Sequence, residues 1–346
     1  MRRKWFFAVM IATALLLPAA APAQKPGWVL RIDEERAINT AVFSPDGRKI
    51  VTASDDHTIR IWDVASGRLL HTMADSDEVR SAVFSPDGRK IVTASSDNTA
   101  RIWDTASGKL LHILPVDSGG VSTAAFSPNG REIVTAGGDG TVRVWDTASG
   151  KILRTLSGHT DWINAAEFSP DGKRIVTASF DRTARVWDAV SGKELNILGG
   201  DTGEVTSALF SPDGKIIATA SSDHTARIWD AASGKLLHIL PGNNDASPSG
   251  SEGILGEVKD IILGHTGEVT SAVFSPDGRQ IVTASMDGTA RIWDVASGNL
   301  LHNLSEHADG VRTASIRAGS RQCRRSLTCP AFLQAGLGSE PGRSAA

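Results

Sequence analysis

The chain lacks most of the residue patterns that announce catalysis. Outside its repeated segments there is no Cys-x-x-Cys pair, no glycine-rich phosphate loop and no Ser/His/Asp set. We therefore assign no catalytic residue, no metal ligand and no cofactor. Cysteine is nearly absent: Cys323 and Cys329, both near the C-terminal end, are the only two. A disulfide between them would close a short loop in the tail and cannot hold the body together. Apolar runs are short, with one exception. Residues Trp5 to Leu17 follow Arg2, Arg3 and Lys4 and precede Ala21-Pro22-Ala23, the three-part layout of a secretory signal peptide. The run is shorter than the roughly 20 residues needed to span a bilayer. Residues 1–23 are expected to be removed on export to the periplasm or the extracellular space, leaving a mature chain with no membrane partner. A basic excess is lacking too. The 36 Lys and Arg fall to 33 once the three in residues 1–23 are gone, against 39 Asp and Glu, a net charge of −6. Nucleic acid is not an expected partner, because binding it takes a basic stripe that replaces counterions.

What the chain does have is one sentence written six times. Trp-Asp pairs fall at Trp62-Asp63, Trp103-Asp104, Trp145-Asp146, Trp187-Asp188, Trp229-Asp230 and Trp293-Asp294, at steps of 41, 42, 42, 42 and 64 residues. Such a period marks a repeat array. Within each copy four short strands can be read. Val79–Phe84 and its equivalents run into Ser85-Pro86-Asp87-Gly88, where proline presets φ at the second turn position and glycine suits the fourth. Ile91-Val-Thr-Ala-Ser95 is β-branched and small, the tight turn Ser96-Asp97-Asn98 leads to Thr99–Asp104, and Ala106-Ser107-Gly108 turns the chain into Lys109–Ile113. Four strands in each 42 residues, with almost no helical signal, predict an all-β propeller of four-stranded antiparallel blades.

Six copies keep Phe-Ser-Pro-(Asp/Asn)-Gly, Thr-Ala-(Ser/Gly)-x-Asp-x-Thr and (Ile/Val)-Trp-Asp. On these motifs residues 28 to about 316 resemble WD-repeat β-propellers of the β-transducin type, most closely the near-identical arrays of bacteria. The resemblance implies a non-catalytic interaction platform for a protein or peptide. Two other readings stand beside it: a propeller hydrolase or metal-dependent enzyme, and a truncated product without a present function. A propeller enzyme would need unique carboxylates or amides pointing inward, and the sequence reading finds none.

The expected organisation is a signal peptide at 1–23, a propeller over 24–316, and an irregular basic tail at 317–346. The step of 64 contains a 22-residue insertion at 243–264, rich in Gly, Ser, Asn and Asp at its start and apolar from Ile254 to Leu263. It reads equally as a partner-contacting element and as a tolerated surface insertion. Trp28–Ile32 aligns with a fourth strand and Val311–Ala314 opens a seventh first strand, yet Ile316-Arg317-Ala318-Gly319 replaces Phe-Ser-Pro-Asp. Six complete blades and an incomplete seventh are thus expected, the tail from about Ser315 reading as a frame-disrupted repeat. Open blade edges of this kind favour self-association.

Residues common to all copies serve the repeat. In the family a relay runs from the buried Trp through a Ser or Thr of the second strand to a His ahead of the first strand and the Asp of the tight turn. The resemblance places it on Trp187, Ser179, His159 and Asp181, and on Trp293, Ser285, His265 and Asp287. Elsewhere the His position holds Glu34, Asp75, Asp117 or Asp201. Two carboxylates would then repel, so softer bracing is expected there. His71, His112, His238 and His302 read as polar guards of outer edge strands. Arg60, Arg101, Arg143, Arg185, Arg227 and Arg291 read as structural cations paired with Asp.

Residues that differ between copies point to recognition, or to drift at permissive surface positions. Flanking the turn Asp these include Asp55 and His57, Phe180 and Arg182, His224, and Met286. Phe180 and Met286 are large and apolar in turns expected to be exposed. Trp162 stands where other copies have Glu78, Gly120, Glu204 or Glu268. The candidate partner-binding set is therefore Trp162, Phe180, Arg182, Met286, His57, His224 and Asp55, with Trp162 and Phe180 as anchor.

Overall fold

The computed structural model describes residues 37–116, 118–241, 264–305 and 310–311. The expected signal peptide, Trp28–Ile32, Glu34, Asp117, the insertion up to residue 263 and the tail with both cysteines lie outside the described residues. The chain divides into two units, Met1–Gly200 and Asp201–Ala346.

The first unit holds four sheets. Blade 1 is β1 (Ile38–Phe43), β2 (Lys49–Ser54), β3 (Thr58–Asp63) and β4 (Leu69–Ala74); blade 2 is β5 (Val79–Phe84), β6 (Lys90–Ser95), β7 (Thr99–Asp104) and β8 (Leu110–Pro115). Blade 3 is β9 (Val121–Phe126), β10 (Glu132–Gly137), β11 (Thr141–Asp146) and β12 (Ile152–Ser157); blade 4 is β13 (Ile163–Phe168), β14 (Arg174–Ser179), β15 (Ala184–Asp188) and β16 (Glu194–Leu198). The second unit holds blade 5, β17 (Val205–Phe210), β18 (Ile216–Ser221), β19 (Ala226–Asp230) and β20 (Leu236–Leu240), and blade 6, β21 (Val269–Phe274), β22 (Gln280–Ser285), β23 (Ala290–Asp294) and β24 (Leu300–Leu304). Strands pair in chain order and antiparallel in every sheet. The fold is the expected all-β one, with six four-stranded blades and no helix among the described residues.

The hairpins form for local reasons. In blade 2 the Gly88 N–H donates to Ser85 O at 2.8 Å, and Gly88 takes φ 69°, the left-handed value for which glycine was expected at the fourth turn position. The Ser85 hydroxyl donates to Asp87 Oδ1 at 2.6 Å and accepts the Lys90 N–H at 2.9 Å. Ahead of the outer strand, Asp104 Oδ1 accepts the Ser107 N–H at 2.8 Å and the Ser107 hydroxyl at 2.5 Å. Those bonds hold the Asp104 carboxyl below its ordinary range. The Asp of each Trp-Asp pair is likewise a turn acceptor, and the Trp beside it is buried in the core in every blade but the first.

Blades stack face to face, and the core lies in the joints. In the first unit Phe84, Ile91 and Trp103 of blade 2 pack on Val51, Ala53, Ile59, Ile61 and Met73 of blade 1, and the same pattern joins blades 2 and 3 and blades 3 and 4. In the second unit Phe274, Ile281 and Trp293 pack on Ala218, Ala220, Ile228 and Leu240. Period-two alternation makes this two-sided sheet possible, each face carrying every second residue. Blade 1 differs: Phe43 is 40% exposed, whereas Phe84, Phe168, Phe210 and Phe274 are at most 9% exposed.

Val311 packs on Val282, Ala284, Ala290 and Ile292 of blade 6. Its N–H donates to Ser285 O at 2.8 Å and its carbonyl accepts from Thr270 Oγ1 at 3.0 Å. Thr206 makes the same bond to Val269 O, at 2.7 Å. Val311 therefore stands where a seventh inner strand begins; the rest of that expected strand, from residue 312, lies outside the described residues.

The outer-strand histidines do more than guard an edge. His71 Nε2 meets Ala106 O, His112 meets Ala148 O and His238 meets Ala296 O, each at 2.9 Å and each in the next blade. Gly108, Gly150 and Gly298 leave room for the ring, since a Cβ at each would come within 3.2 Å of it. The bond requires a carbonyl held opposite by the Ala-Ser-Gly turn, a neighbour that single-strand reasoning could not supply.

Candidate functional site

In every blade the tight Asp turn and the connection into the inner strand sit at the same end, tied by backbone bonds. The Phe180 N–H donates to Trp162 O, the Ser222 N–H to Glu204 O and the Met286 N–H to Glu268 O, all at 2.9 Å. The residues singled out by comparing copies therefore share one face of each unit.

Beneath that face the relay differs from expectation in one member. The Trp187 indole N–H donates to Thr177 Oγ1 at 3.0 Å, and His159 Nε2 lies 2.7 Å from the same hydroxyl. His159 Nδ1 lies 2.7 Å from Asp181 Oδ2. In blade 6 Trp293, Thr283, His265 and Asp287 repeat this at 2.9, 2.6 and 3.0 Å. The relay hydroxyl is thus Thr177 or Thr283, not Ser179 or Ser285. Register is the reason: Trp187 pairs with Ile175 across β14 and β15, so Thr177 is its diagonal neighbour on the same face, and Ser179 lies two residues too far. Ser179 Oγ instead accepts the Asp181 N–H at 3.1 Å and donates to Asp161 O at 3.2 Å.

Protonation follows from these bonds. Burial holds the His159 and His265 imidazoles below their ordinary value, although the facing Asp pulls the other way. A neutral ring donates from Nδ1 to the carboxylate and accepts the Thr hydroxyl at Nε2, which leaves that oxygen to accept the indole N–H. Against the desolvation of burial, hydrogen bonds from Thr183 and His159 keep Asp181 ionised at low pH.

The two acid-bearing blades whose acid is described, with Asp75 and Asp201, are braced, contrary to the repulsion expected of them. Arg101 forms ion pairs with both Asp75 and Asp97, the latter at 2.6 Å. Arg227 bridges Asp201 and Asp223 in the same way, with Asp223 at 3.1 Å. The guanidinium fork reaches two carboxylates at once and removes the clash. Where histidine fills the position, the arginine turns outward: Arg185 pairs with Glu194 at 2.6 Å and stands 3.7 Å from Asp181. Arg60 and Arg143 pair with Asp56 and Asp139 at 2.8 and 2.6 Å, as expected. The Trp indole keeps its Thr acceptor in the other blades as well, from Trp62 to Trp229, at 2.8 to 3.1 Å.

On the face itself the candidates separate. Met286 is 43% exposed, Arg182 is exposed, and Phe180, His57, His224 and Asp55 are half-buried. His57, Arg182 and His224 adopt φ of 68°, 68° and 74°, at the position that Gly140 and Gly288 fill elsewhere. Among the described residues no hydrogen bond or ion pair engages their side chains. Asn98, also left-handed, is occupied: its Oδ1 accepts the Gly120 N–H at 2.6 Å. Asp55 is occupied too, accepting from Asn39 Nδ2 at 2.5 Å. Trp162 is half-buried and lies against Arg80, whose Cζ is 4.8 Å from the indole centroid. At the equivalent place in blade 6, burial and then the neighbouring Glu204 push the Glu268 carboxyl up to about 7.

One unique acid escaped the sequence reading. Glu167 lies on β13, where Val42, Val83, Ala125, Leu209 and Val273 stand in the other blades. Val42, Val83 and Leu209 pack into apolar joints, and burial pushes the Glu167 carboxyl up to about 8. The signal was available: a carboxylate breaking an aliphatic column on an inner strand.

The family model described as WD domain, G-beta repeat matches residues 27–63, 67–104, 108–146, 150–188, 192–230 and 256–294. Single stretches of the chain are similar to curated proteins. One is 49% identical over 47 residues, 13% of this chain and 14% of the relative, to an uncharacterized WD repeat-containing protein of Synechocystis. Another is 47% identical over 45 residues, 13% of this chain and 15% of the relative, to the target of rapamycin complex subunit LST8 of Saccharomyces cerevisiae. A third is 43% identical over 47 residues, 14% of this chain and 12% of the relative, to a guanine nucleotide-binding protein subunit beta of Arabidopsis thaliana. The chain thus covers about a seventh of the length of each. With six model matches spanning most of the chain, and each containing the first three strands of one of the six described blades, this protein belongs to the WD-repeat family of β-propellers.

Proposed function

We propose that this protein is an exported, non-catalytic scaffold that holds a protein or peptide partner on the face bearing the tight Asp turns and the strand-four-to-strand-one connections. The observation that carries this reading is the left-handed backbone at His57, Arg182 and His224. A side chain there costs about 1 kcal/mol relative to glycine, and sister copies use Gly140 and Gly288 at the same position without loss of the turn. A contact outside the chain would account for strain retained by side chains that make no hydrogen bond or ion pair among the described residues. The exposed Met286 adds an apolar contact on the same face of the second unit. The names of two relatives, a target of rapamycin complex subunit and a guanine nucleotide-binding protein subunit, agree with work in an assembly. Export rests on residues 1–23 alone, and fractionation of cells making the full chain tests it: a precursor-sized product retained in the cytosol would end that part. Capture of a partner on immobilised protein tests the rest, with Arg182→Gly and Met286→Ser expected to weaken it severalfold.

A further inference from the structure

Three departures from the repeat, in three successive blades of the first unit, meet at one place. The second residue of the inner strand is Asn39, Ser122, Asn164, Thr206 or Thr270 in five blades and an arginine, Arg80, only in blade 2. The residue ahead of the inner strand is an indole, Trp162, only in blade 4, and the position before the turn Asp is a glycine, Gly138, only in blade 3. The Trp162 ring passes over Gly138 so closely that a Cβ there would stand 2.7 Å from Cζ3. It ends against the Arg80 guanidinium, 4.8 Å from the centroid. A Cβ at 138 would meet the Gly119 carbonyl oxygen even sooner, so the glycine makes room for that backbone as well as for the ring. Blade architecture does not demand Arg80, since five inner strands are built without it.

The surroundings favour a positive charge on the indole. Glu78, Asp77 and Asp55 all act on Arg80, so one guanidinium faces three carboxylates. Burial pushes the Arg80 guanidinium down from its ordinary value, the mark of a cation taken partly out of water. On swinging away it would regain hydration, while the ring and its acids would remain. The hydrogen bond from Arg80 Nε to Ser96 Oγ, at 2.9 Å, would be given up.

We propose that Trp162 is a cation seat, capped in the free protein by Arg80, which takes an arginine or lysine side chain of the bound partner in exchange. This rests on the partner-binding reading of the same face and supplies its chemistry: a basic peptide segment. The exchange keeps the contact between cation and ring, and it adds the partner's charge to a net negative field.

The test uses the purified full chain and blocked pentapeptides Leu-Gly-X-Gly-Leu, in which X is arginine, its neutral isostere citrulline, or glutamate. The readout is the Trp162 indole N–H resonance, assigned with Trp162→Phe. The arginine peptide should move this resonance saturably, and the citrulline and glutamate peptides should not. Arg80→Gln, which keeps a polar side chain of similar reach without the charge, should tighten the arginine peptide by about three- to tenfold, the scale of a partly desolvated cation–π contact. Unchanged or weaker binding of the arginine peptide in Arg80→Gln would overturn the proposal. So would a glutamate peptide that binds the native chain and is lost in that variant, because Arg80 would then be the contact and not the cap. If a partner is captured and lost with Arg182→Gly, yet the arginine peptide leaves Trp162 unmoved, the seat falls and the scaffold reading stands. The reverse pattern, a titrating peptide with no captured partner, upholds the seat and removes the broader reading.

Discussion

Replacing Glu167 by glutamine should stabilise the protein at alkaline pH and leave it almost unchanged in acid. The carboxyl is pushed from 4.5 to about 8 by burial on the inner strand of blade 4. In the unfolded chain it returns to its ordinary value. Each pH unit between the two is worth about 1.4 kcal/mol, which sets a ceiling of ~5 kcal/mol. The side chain retains partial contact with solvent, so about half of that, 2–3 kcal/mol, is expected. The direction follows from which state binds the proton more tightly. Below about pH 4.5 both states are protonated and the fold keeps the full contribution. As pH rises towards about 8 the unfolded chain loses its proton first, and stability falls with it. Glutamine resembles the protonated acid in shape and does not titrate. Urea midpoints of the native chain and Glu167→Gln should therefore nearly coincide near pH 4, separate between about pH 5 and 8, and stay apart above it, with the variant higher. A gap that does not change with pH would refute the reasoning, as would a variant less stable at about pH 9.

Three further outcomes follow from the bracing beneath the face. Thr177→Val removes the acceptor of the Trp187 indole and the hydroxyl partner of His159 together, and should cost about 2–4 kcal/mol in urea unfolding, more than Ser179→Ala at about 1 kcal/mol. Equal losses would restore serine to the relay. Arg227→Met strands the buried Asp201 and Asp223 and should cost about 3–5 kcal/mol, most of it recovered by adding Asp201→Asn; no recovery in the double variant would contradict the bridge. Arg182→Gly relieves a left-handed residue and should raise stability by about 1 kcal/mol, readable as a higher urea midpoint, and a fall in stability would mean that the side chain has an intramolecular task.

Much of this was legible in the sequence because the repeat states its own register. The Ser-Pro-Asp-Gly turns, the Thr-Ala-Ser strands and the Trp-Asp pairs fix four strands per copy, and every expected blade from 38 to 304 is found. The relay misassignment arose because a motif names residue types, whereas the partner of Trp187 is set by strand pairing. Arg101 is expected from the sequence to pair with an Asp, but its second ion pair, to Asp75 ahead of the inner strand, depends on how the blade folds back on itself. The histidine contacts to Ala106, Ala148 and Ala296 join different blades, and nothing within one copy foretells them. Trp162 departs from the repeat in the sequence itself, yet its stacking on Arg80 brings together residues of two different copies. Glu167 lies on an inner strand and not in a turn, where the copies diverge most.

The central claim, that recognition lies in the turn residues where the copies differ, is tested most directly by partner capture on immobilised chain. Native protein, Arg182→Gly, Met286→Ser and a control on the Ser-Pro-Asp-Gly hairpins, Arg89→Ala, should be compared side by side. The account predicts one partner retained by native protein and by Arg89→Ala and reduced severalfold by each turn variant, although Arg182→Gly is the more stable protein. Undiminished capture by both turn variants, or loss only with Arg89→Ala, would contradict it.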